Sequence, residues 1–373
     1  MKAPWKRNEG ISEEQVRQVL RQVQEPVFQR DLVSLEMVKD IGIKGSKVSL
    51  TLELATPAHP LKEQIAAACR EAVEQIEGVN EVEVALTANV VPHHAGDGQQ
   101  APLPGVKNIF AIGSGKGGVG KSTVSANLAL ALARYGAKVG LLDGDVYGPS
   151  IPMLLGIQAD EKPAIQGNQM IPLTKYGIKV MSLGLLIEED TAVVWRGPML
   201  GKAVQQMLHD VAWGELDYLV IDLPPGTGDV QLTLAQSVPL AGAVVVTTPQ
   251  NVALLDVRRA IGMFQRVQTP LLGIIENMSY FLCPHCGQRT DIFKHGGGRV
   301  ASEKLGIPFL GEIPLDPSIS IGGDEGTPVV AVDPEAQQTK IYMEIAGAVA
   351  LRISLLNFEA TRKPTIRWTG KKV

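Results

Sequence analysis

The run GSGKGGVGKST, Gly113 to Thr123, constrains this chain more than any other stretch. Gly115-Lys116-Gly117-Gly118-Val119-Gly120-Lys121-Ser122 satisfies G-x-x-x-x-G-K-[ST] at every fixed position. A β-like run, NIFAIGS, precedes it and a helical run, STVSANLALALARYG, follows. Strand, glycine-rich loop and helix in that order make a phosphate cradle. The glycines let successive N–H groups curl toward phosphate oxygens, and the helix N-terminus adds its partial positive charge. Lys121 is placed to reach the β- and γ-phosphates, the Ser122 hydroxyl to hold Mg²⁺, and Thr123 to approach the α-phosphate. Lys116 lies too far back in the loop to share the phosphates of Lys121, so it is free for another task.

From Val106 to about Leu351, short apolar runs alternate with helical ones: KVGLLD, IKVMSL, DYLVID, GAVVVTT, LLGIIENM and IPFLGEIP. Their near-continuous apolar character predicts strands buried on both faces. The expected fold class is α/β, a P-loop NTPase with a mostly parallel sheet and helices on both faces, preceded by a small α+β domain. A length of 373 residues leaves room for both.

The small domain is expected over residues 1–89. Ser12 and Gln15 form a capping box, Val16, Val19, Leu20 and Val23 trace a helical face, and Val48, Leu50, Leu52 and Leu54 alternate as a strand. A helix is predicted from Leu61 to about Glu77, ended by Gly78, and a second alternating strand over Val82, Val84 and Leu86. Residues 90–105, rich in proline and glycine, read as a linker in which His93 and His94 are solvated polar side chains. The ATPase domain is placed at 106–352 and a basic tail at 353–373.

Three further positions carry chemistry. Asp143 and Asp145 in LLDGDVYGPS sit at the carboxyl end of a strand, where ligands of open α/β sheets gather. Asp222 ends the apolar run of YLVIDLPPGTGD, a carboxylate able to hold the Mg²⁺ shell through water. Asn277 ends the strand GIIENMSYF; its amide can both donate to and accept from an adenine edge, or simply serve a turn.

Cys283 and Cys286 in CPHCG can chelate one edge of a metal site through two thiolates, which leaves a tetrahedral site half filled. Two copies related by a two-fold axis supply four thiolates, enough for one [4Fe–4S] cluster. The spacing alone leaves three readings open, namely a cluster, Zn²⁺ or a redox pair. His285 between them reads as a spacer. Cys69, with Leu61, Ile65, Val73 and Ile76 at helical spacing, reads as a core thiol. With 35 basic against 39 acidic residues, net charge −4, the chain has no general attraction for nucleic acid. No run of about 18 apolar residues and a charged N-terminus argue against a membrane span or a signal sequence. The expectation is a cytoplasmic protein.

With its second lysine, GKGGVGKST resembles the deviant phosphate-loop signature of the family containing nitrogenase iron protein, MinD and the Mrp-type iron–sulfur carriers, and CPHCG is similar to the cluster motif of the Mrp type. The resemblance implies a homodimer with ATP sandwiched at its interface, Lys116 reaching the partner subunit's nucleotide, and Lys121 and Asp145 serving hydrolysis, Asp145 by orienting the attacking water in switch I. It also implies Gly226 and Gly228 in switch II, Asn277 as the base-recognising asparagine, and a transferable [4Fe–4S] cluster bridged by Cys283 and Cys286. The function implied is an ATP-hydrolysing carrier that receives a cluster from scaffold or donor proteins and passes it to apo-protein acceptors.

DLVSLEMVKDI, VSLTLELATPAHP and IEGVNEVEVAL resemble the small domain shared with iron–sulfur assembly factors. That domain often carries a cysteine where His59 stands here, which leaves docking or regulation as its task. The runner-up is a MinD- or ParA-like positioning ATPase with structural zinc at the cysteine pair. Such a protein has no need of the cysteines, and the tail lacks a long amphipathic helix. A redox enzyme like nitrogenase iron protein is a third reading, but its cluster cysteines come from widely separated positions.

Overall fold

In the computed structural model, which describes residues 11–93, 102–186 and 197–362, the chain divides between Val90 and Val91 into two units. The first is built by the alternation read above. Helix α1 (Glu13–Leu20) starts at a reciprocal box: Ser12 Oγ accepts the Gln15 N–H at 3.3 Å and Gln15 Oε1 accepts the Ser12 N–H at 2.9 Å. Strands β1 (Gln24–Glu25) and β2 (Arg30–Asp31) form a short antiparallel ladder. Strand β3 (Val38–Lys44) lies antiparallel to β4 (Lys47–Leu54), and helix α2 (Lys62–Glu74) crosses over to β5 (Glu81–Ala88), parallel to β4. Val48, Leu50, Leu52 and Leu54 point into one core with Val16, Leu20, Ile65, Cys69 and Val73. α2 stops at Glu74, three residues before the expected end.

The second unit runs β6 (Val106–Gly113), α3 (Lys121–Arg134), β7 (Val139–Asp143), α4 (Ile151–Leu154), β8 (Ala164–Gln166), β9 (Gln169–Ile171), β10 (Leu173–Lys175), β11 (Ile178–Ser182) and α5 (Gly197–His209). It continues β12 (Leu216–Asp222), α6 (Asp229–Ser237), β13 (Leu240–Thr247), α7 (Asn251–Arg266), β14 (Leu271–Glu276), β15 (Phe281–Leu282) and β16 (Arg289–Thr290). It closes with α8 (Gly297–Leu305), β17 (Phe309–Glu312), α9 (Pro317–Asp324), α10 (Val329–Val332) and α11 (Gln337–Arg362). One eight-stranded sheet has the order β10-β11-β7-β12-β6-β13-β14-β17, and every neighbouring pair is parallel except the edge pair β10–β11. β7 and β13 are buried along their whole length, as strands covered on both faces must be. α3 packs with α11, and α5 with α6, against this sheet.

The C-terminal boundary differs from the expectation. α11 runs on to Arg362, and Ile353, Ser354 and Asn357 beyond the predicted end at 352 are buried. Apolar residues continue at helical spacing there, so the domain core keeps the helix going; residues 363–373 lie outside the described residues. By length and composition α11 passes for a membrane span, yet Tyr342, Ile345, Val349 and Ile353 are buried in this domain. His93 is also not simply solvated: its Nδ1 lies 2.9 Å from Asn357 Oδ1, while Asn357 Nδ2 donates to Val91 O at 3.1 Å and Asn108 Oδ1 at 2.9 Å. These bonds tie the start of the unit to α11. His94 and the rest of the expected linker to residue 101 lie outside the described residues.

Candidate functional site

The glycine-rich loop leaves the carboxyl end of β6 and enters α3, beside the crevice where strands run outward to either side. Gly120 sits at φ +77°, the left-handed region, and a Cβ there would lie 2.3 Å from Asn277 Nδ2. Only glycine allows that approach. Asn277, at the end of β14, donates from Nδ2 to Val119 O at 2.8 Å and from its backbone N–H to Thr247 O at 2.8 Å. Its side chain therefore buttresses the loop from beneath.

Below the loop is a buried cluster of charge. Lys121 Nζ lies 2.7 Å from Asp222 Oδ2, the Ser122 hydroxyl donates to the same oxygen at 2.6 Å, and Ser125 Oγ lies 2.6 Å from Asp222 Oδ1. Asp143 accepts the Ile151 N–H at 3.1 Å and the Ser182 hydroxyl at 3.0 Å. Both carboxylates are fully buried, and burial, reinforced by the Asp222 charge, pushes the Asp143 carboxyl up to about 7. Desolvation also raises Asp145, which accepts the Gly148 N–H.

The loop, Asp145, Ser150, Pro225 and Asp324 line a cavity of about 340 Å³. Lys116, Gly117, Gly118, Val119, Gly120, Lys121, Ser122 and Thr123 all face it; Asn277 does not. Gly115 instead packs on α7, where a Cβ would meet the Asp256 carbonyl. Lys116 makes no ion pair with any carboxylate among the described residues, in contrast to Lys121. The loop after Asp222 is held by Gly226 N–H to Ser114 O at 3.0 Å and by Gln231 Nε2 to Pro225 O at 2.6 Å.

The cysteine pair occupies the tip of the β15–β16 hairpin. Cys283 N–H donates to Gln288 O at 3.0 Å and Gly287 N–H returns to Cys283 O at 2.8 Å, so the chain folds back around one sulfur. The N–H groups of Cys286 and His285 favour the thiolate and hold Cys283 below the usual thiol range. Cys286 is exposed and Cys283 partly so. No set of three histidine, cysteine or acidic side chains able to hold a metal occurs among the described residues. Cys69 is the opposite case, since burial pushes its thiol up to about 12. Iodoacetamide is therefore expected to label two thiols per native apo chain up to about pH 10, and the third only in denaturant. Three labelled thiols at neutral pH without denaturant would place Cys69 outside the core.

A polar path joins the two sites. Glu276, next to Asn277, accepts the backbone N–H groups of Gly296 and Gly298 and the Ser279 hydroxyl, the last at 2.6 Å. Ser279 Oγ lies 3.3 Å from Glu312 Oε2, which in turn lies 3.4 Å from Arg289 of the cysteine hairpin. Arg289 also stacks on Tyr280, 4.0 Å from the ring centre. Sequence reasoning missed Glu276, Ser125 and Arg289 because each acts through a partner distant in the chain.

In the small domain, Leu61 N–H donates to His59 Nδ1 at 3.2 Å, so Nε2 carries the proton toward Glu25 Oε1 at 2.9 Å. Glu25 also accepts the N–H groups of Val27 and Phe28. Both side chains have 0% exposure. His59 is an internal strut.

Residues 105–350 match the model of the NUBPL iron-transfer P-loop NTPases, a ParA-type family, and residues 13–85 that of iron–sulfur cluster assembly proteins. An iron–sulfur cluster carrier protein of Synechocystis is 50% identical, over 90% of this chain and 96% of that one. The iron–sulfur cluster transfer protein NUBPL of Dictyostelium discoideum is 48% identical over 72% of this chain and 85% of its own length. A nucleotide-binding protein of Archaeoglobus fulgidus, solved with ADP, is 42% identical with a TM-score of 0.56, over 64% of this chain and 92% of that one.

Proposed function

The chain belongs to the NUBPL iron-transfer P-loop NTPase family, and from that premise we propose that it is an ATP-hydrolysing iron–sulfur carrier that works as a homodimer. The observation that carries the reading is the hairpin thiol pair at the surface, Cys286 exposed and Cys283 partly so with its thiolate favoured, on the same domain as a full phosphate loop. One chain offers two thiolates where a [4Fe–4S] cargo needs four, and a second copy supplies the others. A positioning ATPase needs no such thiolates. The names of the relatives above likewise favour the carrier over the MinD-like reading.

In this reading ATP is the substrate. Lys121 and the loop N–H groups hold its phosphates, and the hard oxygens of Ser122 and Asp222, 2.6 Å apart beside the cavity, suit Mg²⁺, directly and through water respectively. Bound Mg²⁺ supplies charge neutralisation at the phosphates. Asp145 orients the attacking water. Asn277, its Nδ2 committed to Val119 O, reads adenine through Oδ1, an acceptor for the exocyclic amino group. The path from Asn277 and Glu276 to Arg289 lets nucleotide state alter how the cysteines are presented. Scaffold or donor proteins load the cluster and apo-proteins receive it; the small domain docks or regulates. An exposed thiol beside one whose thiolate is favoured suits a reducing compartment such as the cytoplasm.

Anaerobic reconstitution with iron and sulfide tests the reading. Four irons and four sulfides per dimer, transferable to an apo-acceptor, are expected; tightly held zinc with no cluster would overturn it. Lys116→Ala tests the shared nucleotide site. Its ammonium, without an ion pair among the described residues, is placed to reach a partner subunit, so the variant is expected to bind one nucleotide per chain with near-normal affinity yet lose hydrolysis. Normal turnover by a strictly monomeric Lys116→Ala chain would remove Lys116 from the mechanism.

A further inference from the structure

Asp143 takes no part in the chemistry proposed above, yet its carboxylate is fully buried near that of Asp222. A charge held out of water is costly unless its hydrogen bonds compensate. Here Oδ1 accepts the Asp145 N–H at 3.1 Å, while Oδ2 accepts the Ile151 N–H at 3.1 Å and the Ser182 hydroxyl at 3.0 Å. Asp145 and Ile151 stand at the two ends of the loop between β7 and α4, whose tip is open to solvent, with Tyr147 69% exposed. Three donors on two oxygens call for a carboxylate, because an asparagine has one acceptor oxygen and turns an N–H group toward the remaining donors. Capping α4 does not account for the arrangement: the Ile151 N–H needs one oxygen, and the other is taken by Asp145.

Ser182 holds the carboxylate in turn. It ends β11 opposite Asp143 in the parallel register, and its Oγ accepts the Gly184 N–H at 3.1 Å. Gly184 leaves room for the same loop, since a Cβ there would lie 3.0 Å from Pro149 Cγ.

We infer that Asp143 is a positioning residue for ATP hydrolysis: it clips both ends of the loop to the sheet, Ser182 orients the clip, and the clip holds Asp145 and α4 against the nucleotide cavity. Asp145, Ser150, Met153 and Leu154, all carried by this loop and helix, line that cavity. The inference rests on the reading that Asp145 orients the attacking water, and it adds what aims Asp145. A misplacement of about 1 Å costs on the order of a hundredfold in rate, whereas the phosphates stay held by the glycine-rich loop.

The test compares the full-length wild type with Asp143→Asn and Ser182→Ala at pH 8, above the value of about 7 to which burial raises Asp143. Ser182→Ala changes no charge, so it separates the clip from the electrostatics beside Asp222. For each protein kcat with ATP, ADP affinity and amide hydrogen exchange are measured. Asp143→Asn is expected to lower kcat by about tenfold to a hundredfold with ADP affinity kept within about twofold. Ser182→Ala is expected to lower it by about twofold to tenfold, the scale of one hydrogen bond. In both, the Asp145 and Ile151 amides should exchange faster while those of β12 and β13 keep their protection. ADP binding reports an intact fold, and Ser182→Ala decides alone if Asp143→Asn does not fold. Wild-type turnover in Asp143→Asn overturns the clip. So does unchanged exchange at Asp145 and Ile151 in the folded variants, or a loss of ADP affinity that matches the loss of kcat, which makes Asp143 a support of the whole cavity. A wild type that hydrolyses no ATP overturns the hydrolytic reading instead, and the exchange rates, which need no turnover, still decide the clip.

Discussion

Lys121→Ala is expected to abolish ATP hydrolysis, lowering turnover by at least about a hundredfold to a thousandfold, the scale of removing one charge-stabilising donor, and to weaken nucleotide binding with it. The same change should also cost stability in the nucleotide-free chain. Lys121 is the cation 2.7 Å from Asp222, and both groups are nearly or fully buried, at 6% and 0% exposure. Leaving a buried charge without its partner costs about 3–5 kcal/mol. The pH dependence has a definite sign. Asp143, close enough to feel the Asp222 charge, is already raised to about 7, above its unfolded value. A carboxyl raised in this way holds its proton more tightly in the native state. It therefore favours folding as pH falls through 7 toward 4, and that gain is lost as pH rises through 7. Without Lys121 the two carboxylates lose their shared cation, and one can be neutralised only by taking up a proton. Denaturant unfolding should show a larger deficit for Lys121→Ala at pH 8 than at pH 6. Unchanged ATP turnover would sink the phosphate-loop assignment; equal stability to wild type at pH 8 would refute the buried-charge argument.

The parallel sheet was legible because burial on both faces writes itself as continuous apolar runs: KVGLLD, DYLVID and GAVVVTT became β7, β12 and β13. Local signals carried equally well where the physics is local, as in the Ser12–Gln15 box. β3 escaped because VKDIGIK buries only Val38 fully and so lacks a clear alternation. The edge strand β10, three residues long with none buried, had no apolar run to announce it. The site divides the same way. The loop residues follow from one motif, whereas the Asn277 contact to Val119, 158 positions away, exists only once β14 lies beside β13. His59 shows the limit of position-by-position comparison: its place in the loop suggested a missing thiolate, but its partner Glu25 lies 34 residues earlier and makes the pair an internal support.

Changing Cys283 or Cys286 to Ala is expected to prevent stable cluster binding and transfer altogether. A two-fold dimer of either variant retains two thiolates, and an iron–sulfur cube held by four protein ligands does not persist on half of them. The loss should be complete because no further ligand is at hand: among the described residues no set of three metal-binding side chains exists to compensate. Cys283 has the added role of the sulfur toward which the Cys286 and His285 N–H groups point, so Cys286→Ala should leave a thiolate that still alkylates readily. ATP binding should survive both changes, since neither cysteine lines the nucleotide cavity. Cys69→Ala is the control. It removes a buried sulfur from the small domain's core, at 0% exposure, and should keep full cluster content while losing about 1 kcal/mol of stability, the scale of one methyl-sized group. All three variants are reconstituted anaerobically, iron and sulfide are counted per dimer, and each is offered to an apo-acceptor. Full cluster content in the Cys283 or Cys286 variant, or loss confined to the Cys69 variant, rules out a cluster bridged by the hairpin pair.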